Sequence, residues 1–458
     1  MNSLIKFFDR VDWPKNTLTF LICSILFIWC IPNTIALRNS LLLLGGINAS
    51  YLIVLYRYQF GVFNKKYLPL VLLGCLYLWA FLHYTFFSYN PTLELSELRS
   101  IWLRALAGSL IAVALPFCLI GNQRRSDIFF IFLFSTPTIN IFLYLCACIT
   151  SGYVITPQEY VGGFIFKKIE TVFFGSIATA IAAANLITIF TQKNRSQSSE
   201  TLNASLWLFG IVICFISAVL SNTKNGILIG LFVAFFAGGY LLFCEIKSRS
   251  NHKAGAILAL GLILFSLAAW KVHDHFSTGG WRTLVADIKA GLDTENNREW
   301  NMENSGKFLP FNELGEKVSG STYMRVAWAK VGIGLIKEYP MGYGSVNSSY
   351  DGLTNLSGID PGKHGQTHSG LVDFGLAYGI PGLFLLASAL VCMLFLIPVN
   401  PSSWALQTLF IALTFFPLGL IAEIAWKQYF EASLFFVGYA AALLIIGGNS
   451  NGVGSPKR

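Results

Sequence analysis

Charge is what this sequence has least of. Of its 458 residues only 12% are charged, while 54% are hydrophobic, and an ordinary soluble domain carries about 25% charge. A water-soluble fold is thereby excluded. The chain has no G-x-x-x-x-G-K-[ST] loop and no G-x-G-x-x-G after a strand, so nucleotide-driven chemistry is not indicated. All nine cysteines lie within or at the ends of apolar runs, which implies no disulfide framework. No basic stripe interleaved with aromatics accompanies the net charge of +9, so nothing points to nucleic acid.

What is present is apolar sequence in long runs. Crossing a hydrocarbon core of about 30 Å takes about 20 helical residues. Twelve runs qualify: 17–30, 39–56, 67–86, 101–121, 128–149, 171–191, 202–220, 226–243, 254–270, 370–397, 404–424 and 429–447. The expected fold is an all-α polytopic membrane protein with about twelve transmembrane helices. The first run lacks a small-residue cleavage site and continues into Pro32 and Asn33, so it is expected to be retained as a helix.

An even number of spans puts both termini on one side, and the positive-inside rule says which. Short connections facing the N-terminal side hold fifteen Lys or Arg residues, and those on the other side hold six. Both termini are therefore expected in the cytoplasm, and most of the net charge is topological.

On this reading residues 272–367 form one polar loop of nearly a hundred residues outside the cytoplasm, between the ninth and tenth spans of a single membrane domain, 1–458. Loops of that length are functional or disordered. Disorder does not suit a segment carrying Trp281, Trp300, Tyr323, Trp328, Tyr339 and Tyr343. Two amphipathic helices are legible in it. The first covers 282–292, with Leu284, Ile288 and Leu292 in register. The second covers 321–338, with Met324, Trp328, Val331 and Leu335 on one stripe and Arg325 on the polar face. Pro340, Gly342 and Gly344 then permit a tight, closely approaching turn.

The candidate chemistry lies at the end of this loop. His364 and His368 stand at i, i+4, a spacing that can share a metal, but no H-E-x-x-H glutamate accompanies them and Gly365 weakens a helix there; no metal site is expected. His368, at the mouth of the tenth span, is a general-base candidate because an unperturbed imidazole titrates near pH 6.5. As a lone residue it reads equally as a structural histidine at the interface. Asp373 lies five residues on, and a helix does not place i and i+5 on one face.

His368-Ser369, nine further residues, Gly379, two residues and Gly382 resemble the H-[NSQ]-x9-G-x2-[GTY] pattern of the O-antigen ligase superfamily. That group also contains O-antigen polymerases and protein O-oligosaccharyltransferases. The stretch from Arg325 to Gly344 is similar to the family's arginine-bearing loop helix and P-x-G-x-G turn. The resemblance implies a C-type glycosyltransferase-like membrane fold, in the bacterial inner membrane with the site in the periplasm. It implies transfer of a glycan from undecaprenyl pyrophosphate, without metal or other cofactor, to an acceptor such as lipid A-core.

On that resemblance His368 would take the proton of the acceptor hydroxyl. Arg325, Lys224 and Arg104 would meet the charge that develops on the pyrophosphate. Lys224 stands where the family has arginine, and it reads otherwise as an interfacial cation. Arg104, in the fourth span, could instead snorkel to a lipid headgroup, and Arg38 reads as structural or lipid-contacting. The loop over 150–170 is short and has no arginine, which favours a ligase over a polymerase. A transporter would be expected to show repeat symmetry and matching broken helices, and neither is legible here.

Overall fold

The computed structural model describes residues 12–160, 168–191, 197–248, 252–276, 281–301, 309–359, 365–398, 401–423, 425 and 427–449. His364, and several of the cations counted above, lie outside them.

Helices make up most of the described chain, and the twelve apolar runs fall on them, 128–149 on a bent pair. Leaving aside the single turn Pro157–Tyr160, the first eleven are α1 (Trp13–Ile28), α2 (Ile35–Leu55), α3 (Leu68–Phe86), α4 (Pro91–Glu97), α5 (Leu103–Leu119), α6 (Gln123–Leu133), α7 (Ser135–Ser151), α8 (Lys168–Thr191), α9 (Gln197–Leu220), α10 (Lys224–Ser248) and α11 (His252–Phe276). The loop contributes α12 (Leu284–Leu292), α13 (Gly320–Glu338) and α14 (Ser349–Leu356). Three more, α15 (Gly370–Phe395), α16 (Ser403–Ile421) and α17 (Lys427–Asn449), close the bundle.

Among the described residues eight helices are individually long and apolar enough to span a membrane, and the bent pair α6–α7 makes a ninth. The remaining three expected runs fall on α1, α9 and α11, whose qualifying apolar stretches are shorter. A π-helical turn, Leu98–Trp102, joins α4 to α5, so a single 29-residue span runs from Pro91 to Leu119.

At the centre of the bundle is α17, whose apolar window is wholly buried and which packs on α5 and α16. Its sequence explains why. Ala432, Ala440, Ala441 and Ala442 are fully buried, and at Gly438 an added Cβ would already lie 3.5 Å from Ala112. Without a hydrophobic drive between helices in lipid, small residues that let backbones approach are what hold such packing.

The loop builds a second, smaller core of its own from Trp300, Tyr323, Trp328, Leu335, Tyr350 and Leu353, and docks it on α15 through Val372 and Leu376. Helix α12 starts two residues later than the periodicity predicts and α13 one residue earlier. Helix α14 was not legible, because its Ser, Gly and Asn content reads as turn.

Candidate functional site

The site is assembled where the loop meets α15. That helix is broken at Gly379, whose φ of 67° and ψ of −169° are non-helical. Pro381, two residues on, can neither donate to the carbonyl of Ala377 nor tolerate it nearby. The break leaves carbonyls at Leu376 and Ala377, and the loop's turn supplies their donors. Tyr343 N donates to Leu376 O at 2.8 Å and Gly344 N to Ala377 O at 2.7 Å, while Ile380 N donates to Pro340 O at 2.8 Å.

The fit requires glycine on both sides. A Cβ on Gly379 would lie 2.3 Å from Pro340 O, and one on Gly342 would lie 2.5 Å from Gly379 N. Gly382 is equally constrained, with Tyr378 Cβ 2.6 Å from an added Cβ. The two motifs read separately in the sequence are thus one interlocked structure.

Glu97, at the end of α4, fastens this turn to the bundle. Its carboxylate accepts from Ser345 Oγ at 2.8 Å, Val346 N at 2.7 Å, and Asn347 N and Nδ2 at 3.2 and 2.9 Å.

His368 enters at the other end of α15, with a left-handed φ of 60°. For a residue with a side chain this costs about 1–3 kcal/mol and persists only when neighbours enforce it. Here they do. The Asp373 carboxylate accepts from both Thr367 N and Thr367 Oγ1 at 2.7 Å. On the far side Ser369 Oγ donates to Gly419 O at 3.3 Å and Gly370 N to Ala422 O at 2.9 Å. The histidine turn is therefore pinned between its own helix and the end of α16.

Just past α16 stands Glu423, which nothing in the sequence singled out. Its Oε1 is hydrogen-bonded to His368 Nδ1, and its Oε2 accepts from Gln366 Nε2 at 3.0 Å. Burial pushes the Glu423 carboxyl up, but the hydrogen bond and charge of His368, the nearby Arg325 and then Gln366 outweigh it and hold the group below its ordinary value. An ionised Glu423 accepts the proton on Nδ1, and Nε2 is then the imidazole's basic atom. Trp328 lies against the imidazole face, ring centroids 5.3 Å apart and planes 28° from parallel.

Arg325 sits one turn before Trp328 on α13, half-buried. Burial lowers its pKa, and the charge of Glu423 opposes that shift; a guanidinium remains cationic regardless. Among the described residues it makes no hydrogen bond, so its donors stay available to a ligand. A cation also lies within its reach, Lys168 at the head of α8, whose Nζ donates to Asn222 O at 3.3 Å.

Lys224 begins α10 two residues beyond Asn222, half-buried, and its charge interacts with Asp287 and Asp274. Arg104 is placed inside the bundle, Nε 2.5 Å from Glu431 Oε1. The fold therefore brings His368 and Arg325 together around Glu423, adds Lys168, and gives Lys224 and Arg104 acidic neighbours of their own.

Beneath Lys168 and Lys224 an apolar cavity of 340 Å³ opens between α8, α9, α10 and α11. Its lining runs from Thr171 and Gly226, three and two residues past those lysines, to Phe190 and Leu241. Along α8 that distance is about 28 Å at 1.5 Å per residue, close to the thickness of a hydrocarbon core.

The fold and this site define a polytopic α-helical membrane protein with a histidine–carboxylate pair, a cationic rim and a lipid-length apolar cavity. Residues 209–387, a stretch that contains Lys224, Arg325, His368 and both glycine motifs, match the model of the O-antigen ligase family. That match, over less than half of the chain, supports an O-antigen ligase-type superfamily member and, coarsely, a glycosyl transfer of the ligase or polymerase kind. A search of curated proteins finds no match.

Proposed function

We propose that the protein is an O-antigen ligase. It transfers O-polysaccharide from undecaprenyl pyrophosphate to lipid A-core oligosaccharide at the periplasmic face of the inner membrane, with both termini in the cytoplasm. The observation that carries this reading is the geometry around Glu423, which orients His368 through Nδ1 and lies within electrostatic reach of Arg325.

In the reaction, His368 Nε2 takes the proton of the acceptor hydroxyl as its oxygen attacks the anomeric carbon. The bond from that carbon to the pyrophosphate oxygen breaks, and its electron pair leaves with the phosphate, inverting the centre. A positioned base of this kind contributes about 10²- to 10⁴-fold. Arg325, a fork suited to phosphate oxygens, and the point charge of Lys168 meet the negative charge on the leaving group. The apolar cavity below Lys168 accommodates part of the isoprenoid chain of such a donor. The resemblance implies that no metal takes part.

The test is reconstitution of the purified protein in liposomes with lipid-linked O-polysaccharide and lipid A-core. Polymer joined to lipid A-core is the expected product. Lengthened lipid-linked polymer would identify a polymerase, and lipid-linked polymer moved unchanged would identify a transporter.

A further inference from the structure

A surface helix bathed in water turns its large apolar side chains inward and its polar ones out. Helix α12 does the reverse. Its buried residues are Ala286, Asp287, Ala290 and Gly291, and Gly291 meets α13 so closely that an added Cβ would lie 2.7 Å from Tyr323 O. Asp287 is satisfied on that side, accepting from Thr283 Oγ1 at 3.0 Å, Asn312 Nδ2 at 2.9 Å and Ser319 N at 3.2 Å. The opposite face carries Val285, Ile288 and Leu292, which share an arc of about 60° at 3.6 residues per turn. Val285 and Leu292 are 63% and 49% exposed, and Ile288 is half-buried.

The position of α12 says what covers this face. Trp281, three residues before the helix, donates its N–H to Asp274 Oδ1 at 3.0 Å, in the last turn of α11. Along α11 the exposed Leu260, Ile263, Leu264 and Leu267 form a lipid-facing surface. Lys224, the first residue of the span in α10, has its charge within reach of both Asp274 and Asp287. Such interactions fade over about 10 Å in salt solution, so α12 lies within about that distance of the level at which a span begins. The headgroup region is itself about 5–7 Å deep on each side of the hydrocarbon core. With Asp287 turned to Lys224 and Gly291 to α13, the apolar face looks away from the bundle, over the bilayer around it.

We propose that Val285, Ile288 and Leu292 dock in the headgroup boundary of the surrounding bilayer, making α12 an interfacial helix that anchors the loop to lipid. The surface that lipid covers on α11 continues onto α12. The anchor holds the loop's own core, and with it the head of α13, at the height of the membrane.

The test places a small fluorescent amino acid at position 288 of the full chain, reconstituted in phosphatidylcholine liposomes. The substitution lies on the protein's outer face, so Tm should stay at the wild-type value. The same probe at position 292 repeats the measurement at a second site. Fluorescence should be lost to phosphatidylcholine carrying a nitroxide at its headgroup, and lost less to iodide added to the buffer. Quenching by iodide as strong as that by the nitroxide lipid would place the face in water and overturn the proposal. Resistance to both quenchers would mean that protein covers the face, a second copy of the chain included, and would overturn it as well.

Discussion

Gly342 and Gly379 occupy one another's side-chain space: a Cβ on the first would strike the backbone of the second at 2.5 Å, and a Cβ on the second would strike Pro340 O at 2.3 Å. Both have positive φ. This contact locks the loop to the broken helix and thereby fixes where α13 carries Arg325.

Substituting Gly379→Ala therefore forces backbone apart and imposes a left-handed conformation on alanine. The expected cost is on the order of 3 kcal/mol. Thermal unfolding in detergent should show the loss, and proteolysis should cut near 338–348 in the variant first.

Glu97 acts on the same turn from the opposite side. Glu97→Ala strands the amides of Val346 and Asn347 in a buried place, at a cost of about 3 kcal/mol. Because α13 and α15 otherwise keep their packing, transfer should fall through kcat more than through the donor KM, and Glu97→Gln should restore part of it. Steady-state kinetics of the three proteins checks this.

The Glu423 carboxyl titrates below its ordinary value, so its contribution to stability is present above the ordinary glutamate range. That contribution is lost as pH falls through the depressed value. Wild type should exceed Glu423→Gln in Tm at neutral pH, and the gap should close only in acid, below pH 4.5. At neutral pH Glu423→Gln should transfer about 10- to 100-fold more slowly, having lost the negative charge that holds the proton on His368 Nδ1 and supports the imidazolium. A gap that closes above pH 6 would contradict the pairing.

Arg325→Lys keeps the charge but loses the fork, and a reduction of about tenfold or more in kcat is expected, with Arg325→Ala lower still by about 10²- to 10³-fold. Since Lys168 is the cation within reach of Arg325 while Lys224 faces Asp287 and Asp274, Lys168→Ala should slow transfer more than Lys224→Ala. Parallel initial-rate measurements decide between the two lysines.

Much of the architecture was legible because membrane solvation enforces it. A helix must satisfy every backbone group within lipid, so each apolar run became a helix. The residues around His368 were harder to read because turn geometry sets them, and periodicity does not. Asp373 was set aside because i and i+5 do not share a helical face, but His368 and Ser369 are not helical, and the left-handed turn swings Thr367 back onto that carboxylate. Glu423 looked like the polar end of an apolar run, and Lys168 like one more topological cation. Arg104 was expected near phosphates, and its acidic partner Glu431 lies 327 residues away in sequence, beyond the reach of any local pattern.

In the proposed reaction His368 Nε2 is the atom that takes the acceptor's proton. The most direct measurement is the rate of polymer transfer to lipid A-core by purified His368→Ala, in liposomes, beside its Tm and its binding of the lipid-linked donor. A rate reduced about 10²- to 10⁴-fold is expected, with the variant still unfolding in one cooperative transition, at a Tm lowered no further than that of Glu423→Gln, and with donor binding retained. Transfer at the wild-type rate by the folded variant would contradict it.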